Sequence, residues 1–241
     1  MARLGHRGYA GGMCGRYSLF GPAGATREAK EWLDKHGLDL ISEINQRDPR
    51  YNLAPTQRSP VLVHGEGGYH LRAYRWGLVP HWAKDLKFGS KTINARADTV
   101  ATKPSFREAF KKRRCLVPAS GYFEWKGERP NKQPYFIHDP AGHLLMFAGL
   151  WEGWRPSPEG EWVHTFTVIT GEPGKVSGDI HDRQPVILPP DLWEAWFEAS
   201  PADAEGVLAA APEAPLAYYP VSKAVGSVKN DGPELVEPVT L

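Results

Sequence analysis

The pentapeptide Met13-Cys14-Gly15-Arg16-Tyr17 places a cysteine directly after a methionine, where the second residue of a chain started at Met13 would stand. With everything before it removed, Cys14 offers an α-amine and a thiol on one residue. An aldehyde condenses with such an amine to a Schiff base, and the thiol then closes a five-membered ring on it. An α-amine ionises near pH 8, well below the roughly 10.4 of lysine, so it forms Schiff bases without special tuning. In the numbered chain twelve residues precede Met13, so this chemistry requires translation from Met13 or trimming of the leader. As an internal thiol, Cys14 would be a small core residue, as most unpaired cysteines are.

Three further residues have types that serve such a reaction. Glu124 lies in Gly121-Tyr122-Phe123-Glu124-Trp125, where strand alternation puts Phe123 and Trp125 on one face and Tyr122 and Glu124 on the other. That second face is either wet, which leaves Glu124 an ordinary surface acid, or buried, which raises its pKa and suits it to proton transfer. His181 sits in the polar turn Asp179-Ile180-His181-Asp182-Arg183, either a surface histidine or a general acid held by its neighbours. Asn94 and Arg96, in Asn94-Ala95-Arg96, are residue types that orient a carbonyl or amine and fork onto phosphate. Trp82 and Pro55 fall in loops, where an aromatic ring can stack on unpaired bases; Trp76 reads as core.

The elements that must position these residues read as follows. Cys14–Phe20 alternates as a strand. Thr26 caps a helix running to His36, with Ala29, Trp32 and Leu33 on one face and Gly37 ending it. Residues 45–58 read as irregular. Pro60–His64 and Tyr69–Trp76 form a hairpin about Glu66-Gly67-Gly68, and Thr92–Asn94 is a short strand. Ser105-Phe106-Arg107-Glu108 has capping-box spacing ahead of a helix that buries Phe106, Ala109 and Phe110 and ends in Lys111-Lys112-Arg113-Arg114, cations that suit a helix C-terminus. Strand-like runs cover Cys115–Pro118, Gly121–Trp125, Pro134–His138, Leu144–Trp151, Trp162–Thr170 and Val186–Leu188. Helices cover Pro189–Glu198 and Pro201–Ala211, and Leu216–Ser222 opens a strand-and-loop tail. Strands followed by late helices, without βαβ alternation, give an α+β fold. No linker or repeat divides it.

The chain has 241 residues, 41% of them hydrophobic and 24% charged, with a net charge of +1, the composition of a globular protein. Cys14 and Cys115 are its two cysteines, which gives neither a disulfide framework nor a zinc pattern and fits a reducing cytosol. No apolar run is long enough to span a membrane. The leader Met1–Gly12 (MARLGHRGYAGG) has no apolar stretch and is not a secretory signal; it reads as disordered or spurious. Charge is segregated. Arg72–Lys132 holds fifteen Lys/Arg against five Asp/Glu, and Gln133 to the end holds five against sixteen. One basic and one acidic face follow, and a basic face attracts phosphate strands in a salt-dependent way.

Seven stretches occur here in one order: Met13–Tyr17, Arg50-Tyr51-Asn52-Leu53-Ala54-Pro55, Trp76-Gly77-Leu78-Val79-Pro80, Asn94-Ala95-Arg96, Gly121–Trp125, His181-Asp182-Arg183 and Val221–Asn230. Together they resemble the SOS response-associated peptidase (SRAP) family. The resemblance implies one compact domain over residues 13–237, with a curved, barrel-like set of mainly antiparallel strands flanked by helices. It implies recognition of abasic sites in single-stranded DNA and a covalent thiazolidine crosslink through the N-terminal cysteine, which shields the lesion. A peptidase activity tied to loss of the initiator methionine belongs to the same family. Carried over by motif, Cys14 is the nucleophile, Glu124 the acid/base, Asn94 the residue that positions amine and sugar, and His181 the donor that opens the sugar ring. Arg16, Arg96 and Arg183 are phosphate contacts, and Pro55, Trp82 and Thr170 hold the kinked strand. The resemblance requires no metal and no organic cofactor, and implies a cytoplasmic, nucleoid-associated monomer. Three features depart from the pattern: the leader, Ala83 where a second Trp can follow Trp82, and Asp98 where Glu is more usual.

Two rival readings use the same residues. Cys14, His181 and Asn94 have the types of a cysteine peptidase, or of an N-terminal-nucleophile hydrolase that processes itself. A non-covalent DNA-binding module would leave Cys14 incidental.

Overall fold

The computed structural model describes residues 14–22, 24–128 and 130–241. The expected leader, Met1–Gly12, lies outside the described residues. The described chain is α+β, as its element pattern predicts. Its twelve strands are β1 (Tyr17–Leu19), β2 (Arg50–Leu53), β3 (Arg58–Gly65), β4 (Gly68–Trp76), β5 (Asn94–Arg96), β6 (Arg114–Ala119), β7 (Gly121–Lys126), β8 (Gln133–His138), β9 (Leu145–Trp154), β10 (Val163–Gly171), β11 (Gln184–Pro185) and β12 (Ala217–Pro220). Six α-helices flank them: α1 (Arg27–Lys35), α2 (Leu40–Asn45), α3 (Arg107–Lys112), α4 (Lys175–Gly178), α5 (Trp193–Glu198) and α6 (Pro201–Ala210).

Strand pairing closes a ring. β10 pairs with β4, β4 with β3, β3 with β6, β6 with β9, and β9 returns to β10. Closure removes the open edges that a five-stranded sheet would otherwise expose. Most pairings are antiparallel; β10 runs parallel to β4 and to β5. All six residues of β6 and the first six of β9 are buried, whereas β4 alternates between buried and less buried positions. A second, open sheet runs β12-β8-β7-β1-β2. Tyr17 of this sheet meets Trp76 of the barrel at 5.0 Å between ring centroids and Phe147 at 6.3 Å, and Tyr122 meets Phe147 at 6.0 Å. Edge-to-face packing of this kind joins sheet to barrel through one apolar core. On its other face the open sheet covers a smaller core of Phe123, Phe136, Val221, Val225 and Leu235.

Local sequence explains most boundaries. Thr26 Oγ1 accepts from Ala29 N at the head of α1, and Gly37 leaves its end with φ of 64°. Of the cations that end α3, Arg114 finds carbonyls, while Arg113 pairs with Glu152 and Lys111 with Glu108. Buried Arg114 donates to Phe110 O at the end of α3 and to Trp196 O, Phe197 O and Ala199 O at the end of α5, so one guanidinium satisfies two helix ends. Two expectations are corrected. No side chain caps α3: it starts from Phe106, after a turn in which Lys103 O already accepts from Phe106 N and Arg107 N. The stretch 45–58 is not irregular throughout, because it contains β2, and α2 precedes it with Asp39 as cap. The polar side chains of β2 conceal it; they are matched by partners from the far end of the chain.

Candidate functional site

Cys14 stands three residues before Tyr17, the first residue of β1, and β1 lies antiparallel to β7 with Tyr17 opposite Tyr122. That register brings the start of β1 to Glu124. Cys14 N donates to Glu124 Oε1 at 2.5 Å. Asn94 reaches the same residue from β5, its Nδ2 3.5 Å from Cys14 O. Three of the four residues expected to do chemistry therefore meet at the backbone of Cys14. In the numbered chain this nitrogen carries the acyl group of Met13, so the bond is an amide donor to a carboxylate.

Glu124 is on a buried face, 3% exposed. Burial lifts its pKa to about 7, against the lowering effects of the Cys14 and Trp125 amides and Lys132; Asp182 adds to the rise. A carboxyl poised there both gives and takes a proton at neutral pH. Cys14 is 0% exposed. Burial, and then the charge of Glu124, hold its thiol well above the usual range, so the sulfur is protonated at neutral pH. In the intact chain both nucleophilic atoms are covered. Cys14 also has φ of 37°, a left-handed conformation that costs a side-chain-bearing residue about 1–3 kcal/mol.

His181 occupies the loop between α4 and β11. Its backbone N donates to Ser177 O at 2.9 Å, and its Nδ1 lies 2.9 Å from Asp182 Oδ1. The neighbouring Asp182 is close enough for its charge to act on Glu124, so this loop borders the Cys14 cluster. Arg183, from the same loop, is buried and donates Nη2 to Thr170 O at 2.9 Å. Thr170 itself is 0% exposed and does not reach the surface it was expected to form; its carbonyl ties Arg183 and Ala97 to β10. Arg96 is exposed and forked onto Asp98, with Nε 3.0 Å from Oδ1 and Nη2 2.5 Å from Oδ2. Trp82 is 48% exposed, edge-on to Phe88 at 5.2 Å. The cleft beside it is lined by Lys84, Lys87 and Lys91. Ala83 is buried against Val79 and Trp154, and its carbonyl accepts from Trp154 Nε1, which leaves no room there for a second indole. Pro55 is half-buried.

Arg16 is placed differently from its expected role. Its Nη1 donates to Asn52 Oδ1 at 2.8 Å and Val225 O at 2.6 Å, and its Nη2 reaches Gly226 O at 3.4 Å. Both Nη atoms are committed to the chain itself, beside the ring of Trp125 at 6.0 Å. Asn52, which sequence reasoning noted in a motif but gave no role, is the hub of this arrangement and is 1% exposed. A polar residue between Tyr51 and Leu53 was its one local signal; the three carbonyls it donates to lie more than 170 positions away. Among the described residues, no group of three His, Cys, Asp or Glu could hold a metal, and no helix is long and apolar enough to cross a membrane.

Fold and site define a barrel-centred α+β protein that holds the backbone nitrogen of one cysteine against a buried acid. A family model described as SOS response associated peptidase (SRAP) matches residues 13–228. The chain is 38% identical over 229 residues to the abasic site processing protein YoqW of Bacillus subtilis, covering 93% of this chain and 99% of that one. It is 34% identical to the abasic site processing protein YedK of Escherichia coli, over 94% and 100% of the two chains. With the abasic site processing protein HMCES of Gallus gallus it shares 33% identity, over 95% and 79%. A crystal structure of a Bacteroides thetaiotaomicron protein superposes with a TM-score of 0.74 at 28% identity, covering 94% of this chain and all of that one. The chain belongs to the SRAP family.

Proposed function

We propose that this protein processes abasic sites in single-stranded DNA, acting as a monomer, by forming a thiazolidine through Cys14 once residues 1–13 are absent. The names of its relatives support the substrate, and one contact carries the chemistry: Cys14 N against Glu124 Oε1 at 2.5 Å. Without the preceding residues that nitrogen is a primary amine already facing a proton acceptor.

The steps balance. His181 protonates the sugar-ring oxygen while the anomeric hydroxyl gives up its proton to water, and the C–O bond breaks so that the hemiacetal opens to its aldehyde. Glu124 takes a proton from the terminal ammonium, and the free amine adds to the aldehyde carbon. Loss of one water, assisted by protonated Glu124, leaves an iminium. The Cys14 sulfur then adds to that carbon, its proton passing to Glu124, and the ring closes. Overall, aldehyde and aminothiol give thiazolidine and water. Asn94, at the Cys14 carbonyl, keeps the residue oriented. Exposed Arg96 and Trp82 and half-buried Pro55 hold the strand, while Arg183 and Thr170 act from beneath as support. Removal of the preceding residues also ends the left-handed constraint at Cys14, which no longer has a φ.

A protonated thiol weighs against the cysteine-peptidase alternative, because that chemistry needs a thiolate. The test is to mix the chain beginning at Cys14 with a single strand carrying one abasic site. A heat-stable adduct is expected from this protein and none from Cys14→Ala. Turnover of peptides with no DNA adduct would overturn the reading.

A further inference from the structure

The loop that follows β12 is anchored by polar groups far beyond what its own apolar content calls for. Asn52 Nδ2 donates to three of its carbonyls, Val225 O at 3.2 Å, Ser227 O at 3.0 Å and Asn230 O at 2.7 Å. Arg16 adds its bonds to Val225 O and Gly226 O. Asp231, at the loop's end, accepts from Tyr51 N at 2.7 Å and Asn52 N at 2.8 Å, and pairs with Arg50 Nε at 2.5 Å. Asn230 Nδ2 closes the loop on Ala224 O at 2.8 Å. Two side chains, Val221 and Val225, are driven into the small core. The other side of the loop faces water, with Lys223, Ser227, Val228 and Lys229 exposed.

The charge of this loop is out of character with its surroundings. Residues 133–241 carry five Lys/Arg against sixteen Asp/Glu, yet residues 221–230 hold two lysines and no acid. Among the described residues neither the Lys223 nor the Lys229 ammonium takes part in a hydrogen bond or an ion pair; Lys229 donates only its backbone N, to Ser227 Oγ at 3.4 Å. The place is equally specific. Arg16 follows Cys14 by two residues, and its guanidinium is what fastens the loop. A buried framework thus holds two unneutralised ammonium groups next to the strand that bears the nucleophile.

We propose that the loop Val221–Asn230 is a second phosphate-binding element, with Lys223 and Lys229 gripping the backbone of the DNA strand that lies over Cys14 and Arg16 serving as the bolt that fixes the loop. Lysine binds phosphate as a mobile point charge, and a strand crossing Cys14 brings phosphates past this rim. The proposal rests on the single-stranded DNA reading above.

The experiment uses the chain beginning at Cys14 and its Lys223→Ala/Lys229→Ala double variant, in which both substitutions are at the surface. Affinity for an unmodified single strand is measured across a salt series, and adduct formation on an abasic strand at saturating DNA. Each phosphate contact to single-stranded DNA contributes about 0.7 to the slope of log K against log salt, so the slope should shrink by about 1.4 and affinity at 0.15 M salt should fall roughly tenfold. The adduct rate at saturation should stay unchanged, and a double Lys→Arg variant should keep wild-type affinity. Unchanged affinity and slope in the alanine variant would overturn the proposal. If the parent chain binds the unmodified strand but forms no adduct, the crosslinking reading fails while the loop stands. If it forms the adduct and the alanine variant binds equally well, the loop proposal fails alone.

Discussion

At the scale of single residues, Glu124 is the buried acid against which the Cys14 nitrogen rests. Glu124→Gln keeps the size and one carbonyl acceptor for Cys14 N but removes the proton relay. Adduct formation at saturating DNA should slow by about 10²–10⁴-fold, measured in single turnover. The same residue imposes a pH dependence on stability in the intact chain. Burial raises it from 4.5 to about 7. The folded state therefore holds a proton that the unfolded state releases between those values. Its contribution is fully present below about pH 4.5 and is lost as pH rises through about 7, a change of about 3 kcal/mol. Denaturant titrations at pH 5 and pH 8 should show this loss, and Glu124→Gln should remove it; equal losses in both proteins would contradict the assignment. Of this site, the alternation in Gly121–Trp125 fixes which face Glu124 shares but leaves open whether that face is wet. Only the apposition of β1, a strand more than a hundred positions away in sequence, decides it. The same distance hides Asn52, whose partners come from the tail.

At the scale of elements, two turns hold the surface around the site. Gly77, with φ of 114°, and Gly89 touch backbone to backbone, and a Cβ on either would collide with the other's carbonyl oxygen. This pins the segment carrying Trp82 and Lys84 to the end of β4. Gly77→Ala should destabilise the fold by about 2–4 kcal/mol in denaturant melts and weaken DNA binding through the displaced Trp82. Ala54-Pro55-Thr56-Gln57 is a turn closed by Gln57 N to Ala54 O at 3.2 Å, with Thr56 at φ of 77°. A β-branched residue is strained there where glycine is not. Thr56→Gly should raise stability by about 1 kcal/mol, and a lower melting temperature would contradict that account. Locally encoded elements were legible: the Thr26 cap and Trp32-Leu33 face gave α1, and Glu66-Gly67-Gly68 gave the β3–β4 hairpin. β2 and α2 were not, because Arg50 and Asn52 break the apolar pattern and are satisfied by Asp231 and the tail carbonyls. Capping-box spacing at Ser105 misled because a backbone turn had already supplied the acceptors.

At the scale of the whole molecule, a closed barrel supplies the rigidity, and the open sheet laid on it brings Cys14, the Glu124 strand and the tail loop together. Charge is distributed to match: the basic stretch contributes Lys84, Lys87 and Lys91 to the cleft beside Trp82, and the tail loop returns two lysines from an otherwise acidic half. Mapping which atoms join the DNA tests this arrangement most directly. Intact-mass spectrometry and peptide mapping should be run on the product of an abasic single strand with the chain beginning at Cys14. The account predicts a single adduct weighing the two components less one water, located on Cys14, and missing both from Cys14→Ala and from the chain that keeps residues 1–13. An adduct on a lysine, or one that forms equally with Cys14→Ala, would contradict it.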